Sequence, residues 1–307
     1  MDSPVVVAEE VADALADGRP VVALESTIIS HGFPRPRNLE AARLFERLLV
    51  DAGVTPATIA LIDGVPRVGL DEAALVRIAE DPAVVKVSGR DLPVAMVQRV
   101  TGATTVAATA LLAHRSGIRV FSTGGLGGVH RQAARTFDES ADLTTLARVP
   151  IAVVSAGAKS ILDIHATLER LETLGVTVVG YRTSRYPGFY LSDSGHPVDW
   201  RVETPEEVAE VMAARDSLDA PQAVLVANPL PADLQLDPTV HDRVLTDALA
   251  EADRRGVTGK AVTPFLLAYL QEHTGGASLD VNIDIARNNI VLGGRIAAAW
   301  CARAAER

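Results

Sequence analysis

The amino-acid sequence predicts an α/β protein, a three-layer α/β/α sandwich whose central sheet is mixed and largely parallel. The first observation is an alternation along the chain, in which short runs of β-branched residues are followed by stretches rich in alanine and leucine. The second is a crowd of polar residues directly after several of these runs, where open α/β sheets usually bind their ligands. The 307 residues contain no linker or break in composition, so we expect one domain over residues 1–307.

Seven strands and eight helices fill the chain in this interpretation. The β-branched runs predict strands at residues 21–24, 58–62, 84–86, 118–122, 151–155, 176–181 and 223–227. The alanine- and leucine-rich stretches predict helices at residues 36–52, 71–80, 106–116, 159–174, 205–218, 241–254, 264–274 and 279–303.

Charge and cysteine content restrict the class of protein. The formal net charge of −10 opposes binding to polymeric nucleic acid but leaves room for a small phosphorylated ligand held by a few local donors. The N-terminal residues lack a secretory signal, and no run approaches the roughly 18 apolar residues of a membrane span. The single cysteine, Cys301, has no partner for a disulfide bond. We therefore expect a cytoplasmic protein that acts on a small molecule.

Lysine is scarce, and its scarcity makes each lysine a candidate for chemistry. Of the 29 basic residues only Lys86, Lys159 and Lys260 are lysines. Arginine cannot lose its proton near neutral pH, whereas a lysine amine can become a neutral nucleophile. Lys159 follows a strand, and we expect it in the first turn of the next helix, where the helix dipole disfavours the ammonium form. Chance survival, or a lysine that merely caps a turn, is the alternative.

Glu25 follows the apolar strand at residues 21–24. Burial there would raise the pKa of its carboxyl and suit it to general acid catalysis. Alternatively, it simply accepts hydrogen bonds from the backbone or an arginine.

Three further segments carry candidate ligand-binding groups. The glycine-rich residues 124–128 allow close approach to a ligand, but His130 stands where a dinucleotide fingerprint needs its third glycine. Residues 136–143 contain three carboxylates that would suit Mg²⁺ or Mn²⁺, or else form a solvated acidic loop. Residues 88–91 and the turn at 102–105 offer donors for a phosphate, although a plain helix cap explains Thr104 and Thr105 nearly as well.

Taken together, these segments resemble the pseudouridine-5′-phosphate glycosidase family, which also includes indigoidine synthase A-like proteins. The resemblance covers nearly the whole chain and is strongest at residues 23–32, 86–92, 122–131, 138–143 and 154–162. It implies reversible cleavage of the C–C bond between C1′ of ribose 5-phosphate and C5 of uracil, through ring opening and a lysine imine. It also implies a homotrimer.

The resemblance assigns roles to particular residues. Lys159 would be the imine-forming amine and Glu25 the proton donor, while Asp138 would bind Mn²⁺, or another divalent metal such as Mg²⁺, directly or through water. The ribose phosphate would be held by Lys86, Val106, Ser140, Ala141 and Asp142. Uracil would be contacted by Thr123, His130 and Asn289, although the sequence leaves open whether Asn288 or Asn289 faces the ligand. Lys260 receives no role.

Two alternatives remain open at this point. One is a related lysine-dependent sugar-phosphate lyase of the indigoidine synthase A type, acting on another substrate. The other is a non-catalytic sugar-phosphate-binding protein, which would bind a ligand without turnover.

Overall fold

A single twisted sheet runs through the protein, which is described by a computed structural model over residues 5–305, apart from the side chain of Lys260. Its eleven strands are β1 (Val6–Val7), β2 (Val21–Glu25), β3 (Thr55–Ile62), β4 (Val65–Val68), β5 (Val85–Val87), β6 (Gly102–Thr104), β7 (Val120–Ser122), β8 (Ala152–Ser155), β9 (Thr177–Tyr181), β10 (Trp200–Val202) and β11 (Val224–Ala227). The order across the sheet is β1-β4-β3-β2-β7-β8-β11-β9-β10, and β6 joins β5 to β3. Only the β3–β4 and β3–β6 pairs are antiparallel in this described sheet, so the prediction of a mixed, largely parallel sheet is confirmed.

Twelve α-helices surround the sheet in the described part of the chain. They are α1 (Glu9–Ala16), α2 (Arg37–Asp51), α3 (Glu72–Glu80), α4 (Leu92–Val97), α5 (Val106–Arg115), α6 (Ala133–Thr136), α7 (Ala141–Leu146), α8 (Ile164–Thr173), α9 (Pro205–Ser217), α10 (Pro238–Arg254), α11 (Val262–His273) and α12 (Ala277–Ala305). None of these helices is both long and apolar enough to cross a lipid bilayer.

Two large apolar cores show that the sheet is covered on both faces. One core joins α2, α9 and α12 to the sheet through side chains such as Phe45, Met212 and Ile290. The other joins α1, α5 and the α10–α11 pair to the opposite face, for example through Leu112 and Leu270. Because side chains alternate between the two faces of a strand, each buried strand supplies both cores. The predicted three-layer sandwich is confirmed.

The seven predicted strands and eight predicted helices all exist, whereas the eight elements that sequence reasoning missed are short. The missed strands have two to four residues and the missed helices four to eight. Segments of this length contain too few residues to display a helical or strand periodicity.

One predicted boundary is wrong where it bears on function. Helix α8 begins at Ile164 and not at Lys159, because Asp163 caps it by accepting a hydrogen bond from the Ala166 amide (3.0 Å). Lys159 lies in the preceding loop, where its amide donates to the Leu126 carbonyl (3.0 Å). Lys159 is therefore not in the first turn of a helix, where it was predicted to be.

Candidate active site

A cavity of about 770 Å³ opens at the edge of the sheet where β2 ends. Strands β7 and β8 run parallel to β2, so the loops that follow them reach the same edge. Strands β5 and β6 run in the direction opposite to β3, because they are parallel to each other and β6 is antiparallel to β3. Nine of the predicted site residues line this cavity: Glu25, Lys86, Val106, His130, Asp138, Ser140, Ala141, Asp142 and Lys159.

Glu25 is the last residue of β2 and is only 7% exposed. Burial raises the pKa of its carboxyl above the ordinary value, and the nearby charge of Lys159 opposes this shift. The Thr123 hydroxyl also stabilises the charged form, because it donates a hydrogen bond to Oε1 of Glu25. The raised pKa expected from the sequence is confirmed, and the group is suited to carry a proton.

Lys159 reaches the same cavity from the loop after β8. Its Nζ donates a hydrogen bond to the Gly125 carbonyl (2.7 Å), so the amine is held against the glycine-rich loop that follows β7. Backbone hydrogen bonds join the two loops, including Leu126 N to Gly157 O (2.9 Å) and Lys159 N to Leu126 O (3.0 Å). Main-chain carbonyls of the glycine-rich loop thus hold both the amine and the backbone amide of Lys159.

Gly125 is required where these two loops meet. A Cβ at this position would lie 2.5 Å from Cδ2 of Phe189 and 3.2 Å from the Gly157 carbonyl oxygen. Phe189 is 2% exposed and has a positive φ of 65°, an uncommon backbone conformation for a bulky residue. The aromatic ring therefore supports the loop that carries the acceptor of the Lys159 hydrogen bond.

A small annex of about 50 Å³ adjoins the main cavity beside Glu25 and Lys159. His31 and Asn282 lie in its wall. Burial, together with the positive charge of Lys86, lowers the pKa of His31, which favours the neutral imidazole. The Oδ1 atom of Asn282 is buried and has no hydrogen-bond partner among the described residues. An orphaned acceptor of this kind indicates a place for a ligand donor or a water molecule.

The opposite part of the cavity contains groups suited to an anion. Lys86 on β5 faces the start of α5, where Val106 is the first helical residue. The preceding residue, Thr105, is 9% exposed, and its hydroxyl has no hydrogen-bond partner among the described residues. Ser140 also lines this region. A lysine, a free hydroxyl and the amides of a helix N-terminus together can hold a phosphate.

Asp142, which is predicted to contact the ribose phosphate, has a buried carboxylate that binds backbone amides. Its two carboxylate oxygens accept hydrogen bonds from the amides of Ala107 (3.0 Å) and Gly127 (2.8 Å). The buried carboxylate therefore ties the start of α5 to the glycine-rich loop. Asp142 also lines the cavity, and its contact with the ribose phosphate stays a prediction.

Asp138 lies at the cavity mouth, with one carboxylate oxygen 4.0 Å from Nε2 of His130. The neighbouring carboxylate of Glu139 is paired with Arg170 (2.8 Å). Residues 5–305, leaving aside the Lys260 side chain, contain no group of three or more His, Cys, Asp or Glu side chains that could enclose a metal ion. One open carboxylate fits a hard divalent ion that keeps most of its waters, and does not fit a closed protein site.

Comparison with known proteins agrees with this geometry. Residues 10–299 match the family described as indigoidine synthase A like protein. The chain belongs to this family. A pseudouridine-5′-phosphate glycosidase from Frankia alni is 64% identical over 98% of this chain and 83% of the relative, and one from Saccharopolyspora erythraea is 60% identical over 96% and 97%. The family predicted from the sequence motifs is therefore confirmed.

Two solved structures of this kind superpose over nearly the full length. The prealnumycin C-glycosynthase AlnA in complex with ribulose 5-phosphate has a TM-score of 0.92 and 37% identity, covering 100% of both chains. An indigoidine synthase A-like protein from Thermotoga maritima has a TM-score of 0.87 and 34% identity, covering 97% of both. The indigoidine synthase A-like fold is thus common to proteins with different names and activities.

Two predicted site residues of this indigoidine synthase A-like chain lie behind the cavity wall. Thr123 is buried and directs its hydroxyl at Glu25. Asn289 is fully buried, and its amide is occupied by the carbonyls of Thr123 and Gly124 and by Asn228. The predicted contact between Asn289 and uracil is therefore corrected, because the side chain has no surface on the cavity and no free hydrogen-bonding group.

Asn282 is a site residue that sequence reasoning missed, and His31 is another. Asn282 lies seven residues before Asn289 on α12, and therefore on the same face of the helix, two turns nearer its N-terminus. That spacing was a usable signal, since both asparagines interrupt an otherwise apolar face. The neighbouring Asn288 donates to the Pro229 carbonyl (3.1 Å) and does not line the cavity. The side chain of Lys260 lies outside the described part of the chain.

Proposed function

We propose that the protein is a pseudouridine-5′-phosphate glycosidase, a lyase that reversibly converts pseudouridine 5′-phosphate and water into uracil and ribose 5-phosphate. The observation that carries the proposal is the shared position of the Lys159 amine and the buried Glu25 carboxyl in one cavity of a chain from this family. Relatives that are 50–64% identical bear the name of this activity.

The pairing of an amine with a protonated carboxyl suits a carbon–carbon glycosidic bond. Such a bond has no leaving heteroatom to protonate, so the paired-carboxylate hydrolysis of ordinary glycosides does not apply. When the ribose ring opens, the bond from C1′ to the ring oxygen breaks and the Lys159 nitrogen bonds to C1′. The ring oxygen keeps the electron pair of the broken bond and takes up the proton that the nitrogen loses. A proton from Glu25 then adds to C5 of uracil, the C1′–C5 bond breaks, and its electrons remain on uracil. Water hydrolyses the imine left on Lys159 and releases ribose 5-phosphate.

The annex is proposed as the subsite for uracil. Uracil presents both N–H donors and carbonyl acceptors, and the orphaned Oδ1 of Asn282 offers an acceptor at a buried position. The annex adjoins both Glu25 and Lys159, as transfer of a proton to the base requires. His130, which is also predicted to contact the base, lines the main cavity and does not line the annex.

The phosphate is proposed to bind between Lys86, Ser140 and the start of α5. The buried hydroxyl of Thr105 and the amide of Val106 provide uncharged donors beside the Lys86 ammonium. Ala141 follows Ser140 at the N-terminus of α7 and lines the same region. Asp142 supports this arrangement through its hydrogen bonds to Ala107 and Gly127.

Asp138 is proposed to hold Mn²⁺, or another divalent ion such as Mg²⁺, with water as its other ligands. The ion would supply positive charge at the mouth of the cavity, where an acidic chain binds an anionic substrate. We also propose that the protein is a homotrimer in the cytoplasm, as its family resemblance and its unpaired Cys301 suggest.

A direct assay tests the activity. Purified protein incubated with uracil, ribose 5-phosphate and Mn²⁺ is expected to form pseudouridine 5′-phosphate, and the reverse reaction is expected to release uracil. A lack of turnover in both directions, with ribose 5-phosphate still bound, would instead favour a sugar-phosphate-binding protein. If ribulose 5-phosphate, the ligand of the C-glycosynthase, forms a covalent adduct with Lys159 and ribose 5-phosphate does not, the protein is better described as a related lyase.

A further inference from the structure

A chain of buried amide groups ends at Glu25. Asn228 donates from Nδ2 to Oδ1 of Asn289 (2.9 Å), and Asn289 donates from Nδ2 to the carbonyls of Thr123 (2.8 Å) and Gly124 (3.2 Å). The Thr123 hydroxyl then donates to Oε1 of Glu25. Asn228, Asn289, Thr123 and Glu25 are 5%, 0%, 3% and 7% exposed, so water does not compete for these hydrogen bonds.

The directions of the hydrogen bonds among the amides and carbonyls of the chain are determined. The carbonyls of Thr123 and Gly124 can only accept, so the NH₂ group of Asn289 must face them and its oxygen must face Asn228. The backbone of Asn228 is itself fixed, because its amide donates to the Ser155 carbonyl (2.8 Å). The residues that follow β11 and β7 therefore meet α12 and the end of β2 through one set of amides and a hydroxyl.

We propose that Asn228 and Asn289 are positioning residues that hold Thr123 so that its hydroxyl donates to Glu25, and thereby fix the oxygen from which Glu25 delivers its proton. The proposal rests on the proposed function of Glu25 as proton donor. Because Oε1 is occupied by the Thr123 hydroxyl, the transferable proton is carried by Oε2. Neither asparagine touches the cavity, and both act through Thr123.

The hydrogen bonds that lead from Asn228 through Asn289 and Thr123 to Glu25, here called the relay, add no charge. Charged groups also face Glu25 from other elements. These are Lys159 after β8, Lys86 on β5 and Asp142 on α7. The two lysines favour the carboxylate of Glu25 and Asp142 disfavours it, while the Thr123 hydroxyl favours the carboxylate without adding a charge. Loss of the relay removes one of these influences and leaves the three charges in place.

Replacement of Asn289 by alanine, with Asn288→Ala as the matched control, tests the proposal. Without its tether the Thr123 hydroxyl no longer stabilises the Glu25 carboxylate, so the proton is retained to higher pH. We expect kcat of Asn289→Ala to fall about tenfold with KM changed less than about twofold, since the loss is one of orientation. The alkaline limb of the kcat–pH profile should move to higher pH, as in Thr123→Val. Asn288→Ala should leave kcat and the profile unchanged.

A double-mutant cycle separates a relay from a general structural role. If Asn289 acts through Thr123, then Asn289→Ala added to Thr123→Val should shift the pH limb no further, whereas independent effects would add. Asn228→Ala should move the limb in the same direction as Asn289→Ala, and Thr123→Ser should keep the wild-type limb because it keeps the hydroxyl. Additive shifts, or an unshifted limb in folded Asn289→Ala, would overturn the proposal.

A measurement without substrate keeps this test apart from the proposed activity. The carboxyl infrared band that disappears in Glu25→Gln reports the protonation of Glu25 directly, and its titration should move to higher pH in Asn289→Ala and not in Asn288→Ala. If the wild type lacks the proposed activity but this shift occurs, the relay stands and the assigned reaction fails. If Asn289→Ala does not fold, the same titration in Asn228→Ala and Thr123→Val decides the matter, and an unmoved band in both rejects the relay.

Discussion

The inner wall of the cavity and its outer rim differ in how tightly they are built. The inner wall consists of Glu25 and the loops after β7 and β8, whose backbone amides and carbonyls are joined to one another and whose side chains are buried. The outer rim, residues 131–139, is largely exposed, and Phe137 there is 86% exposed with a φ of 55°. The two residues proposed for the chemistry thus lie on the hydrogen-bonded edge of the sheet, while the rim is made of exposed loop residues.

The largest expected effect concerns the amine of the inner wall. Lys159→Arg should lower kcat by at least about 1,000-fold, because a guanidinium keeps the charge but cannot form an imine. Borohydride added with ribose 5-phosphate should fix a mass adduct on the wild-type peptide that contains Lys159, and no adduct on the variant. In Lys86→Arg, the matched control, the adduct should persist. An active Lys159→Arg variant, or an adduct on Lys86, would remove Lys159 from the mechanism.

Glu25→Gln should come next, with a loss of about 100- to 10,000-fold in kcat, because the amide keeps the shape but has no proton to give. Burial raises the pKa of Glu25 in the folded state, so its contribution to stability is present at low pH and is lost as pH rises through the folded pKa. Glu25→Gln should therefore unfold at a higher temperature than the wild type near neutral pH, and lose this advantage in acid. A variant that is fully active, or less stable at neutral pH, contradicts the role of a buried, proton-carrying carboxyl.

Gly125→Ala tests whether the main chain of the inner wall positions the amine. The new methyl group would press on the Phe189 ring and displace the carbonyl that accepts from Lys159. We expect about a tenfold slower formation of the trapped adduct, with the protein still folded. Gly195→Ala is a useful control for the stability measurement, since no atom lies within 4 Å of the place its methyl group would take, although the φ of 88° adds backbone strain. Unchanged trapping in Gly125→Ala would mean that the Lys159 amine does not depend on this carbonyl.

At the rim, Asp138→Asn should weaken Mn²⁺ binding about tenfold, which corresponds to about 1.4 kcal/mol. The loss of one carboxylate removes the proposed protein ligand but leaves the inner wall intact. Electron paramagnetic resonance of free Mn²⁺ measures this binding without any turnover. Glu139→Gln serves as the control, because Glu139 is paired with Arg170. Equal Mn²⁺ affinities of wild type and Asp138→Asn would show that the ion binds elsewhere.

The smallest effect is expected for Phe137→Ser, also on the rim. The ring is exposed, so its removal should change the free energy of unfolding by less than about 0.5 kcal/mol in a denaturant titration. The trapped adduct on Lys159 should form at the wild-type rate. A large loss of stability would show that the rim is packed as tightly as the inner wall, and the contrast between the two regions would fail.

Sequence reasoning was most successful where a local pattern was enough. The run from Val21 to Leu24 predicts a buried strand, and a carboxyl that follows such a strand is expected to be buried and to have a raised pKa. It was least successful where distant segments meet. The loop around Lys159 has a helix-compatible composition, but main-chain hydrogen bonds to Leu126 hold it out of the helix, and these bonds join residues more than 30 positions apart.

The sequence by itself determined the family, the α/β class and the two residues proposed for the chemistry, because strand periodicity and long ordered motifs are local properties of the chain. Only the tertiary structure decided which polar residues face the cavity. Thr123 and Asn289 lie behind the wall, Asn282 lies in it, and the carboxylate of Asp142 binds two backbone amides. The reason is that a side chain's partners depend on how helix α12 and the short loops pack over the sheet, and buried polar groups take whichever partners that packing brings within hydrogen-bonding distance.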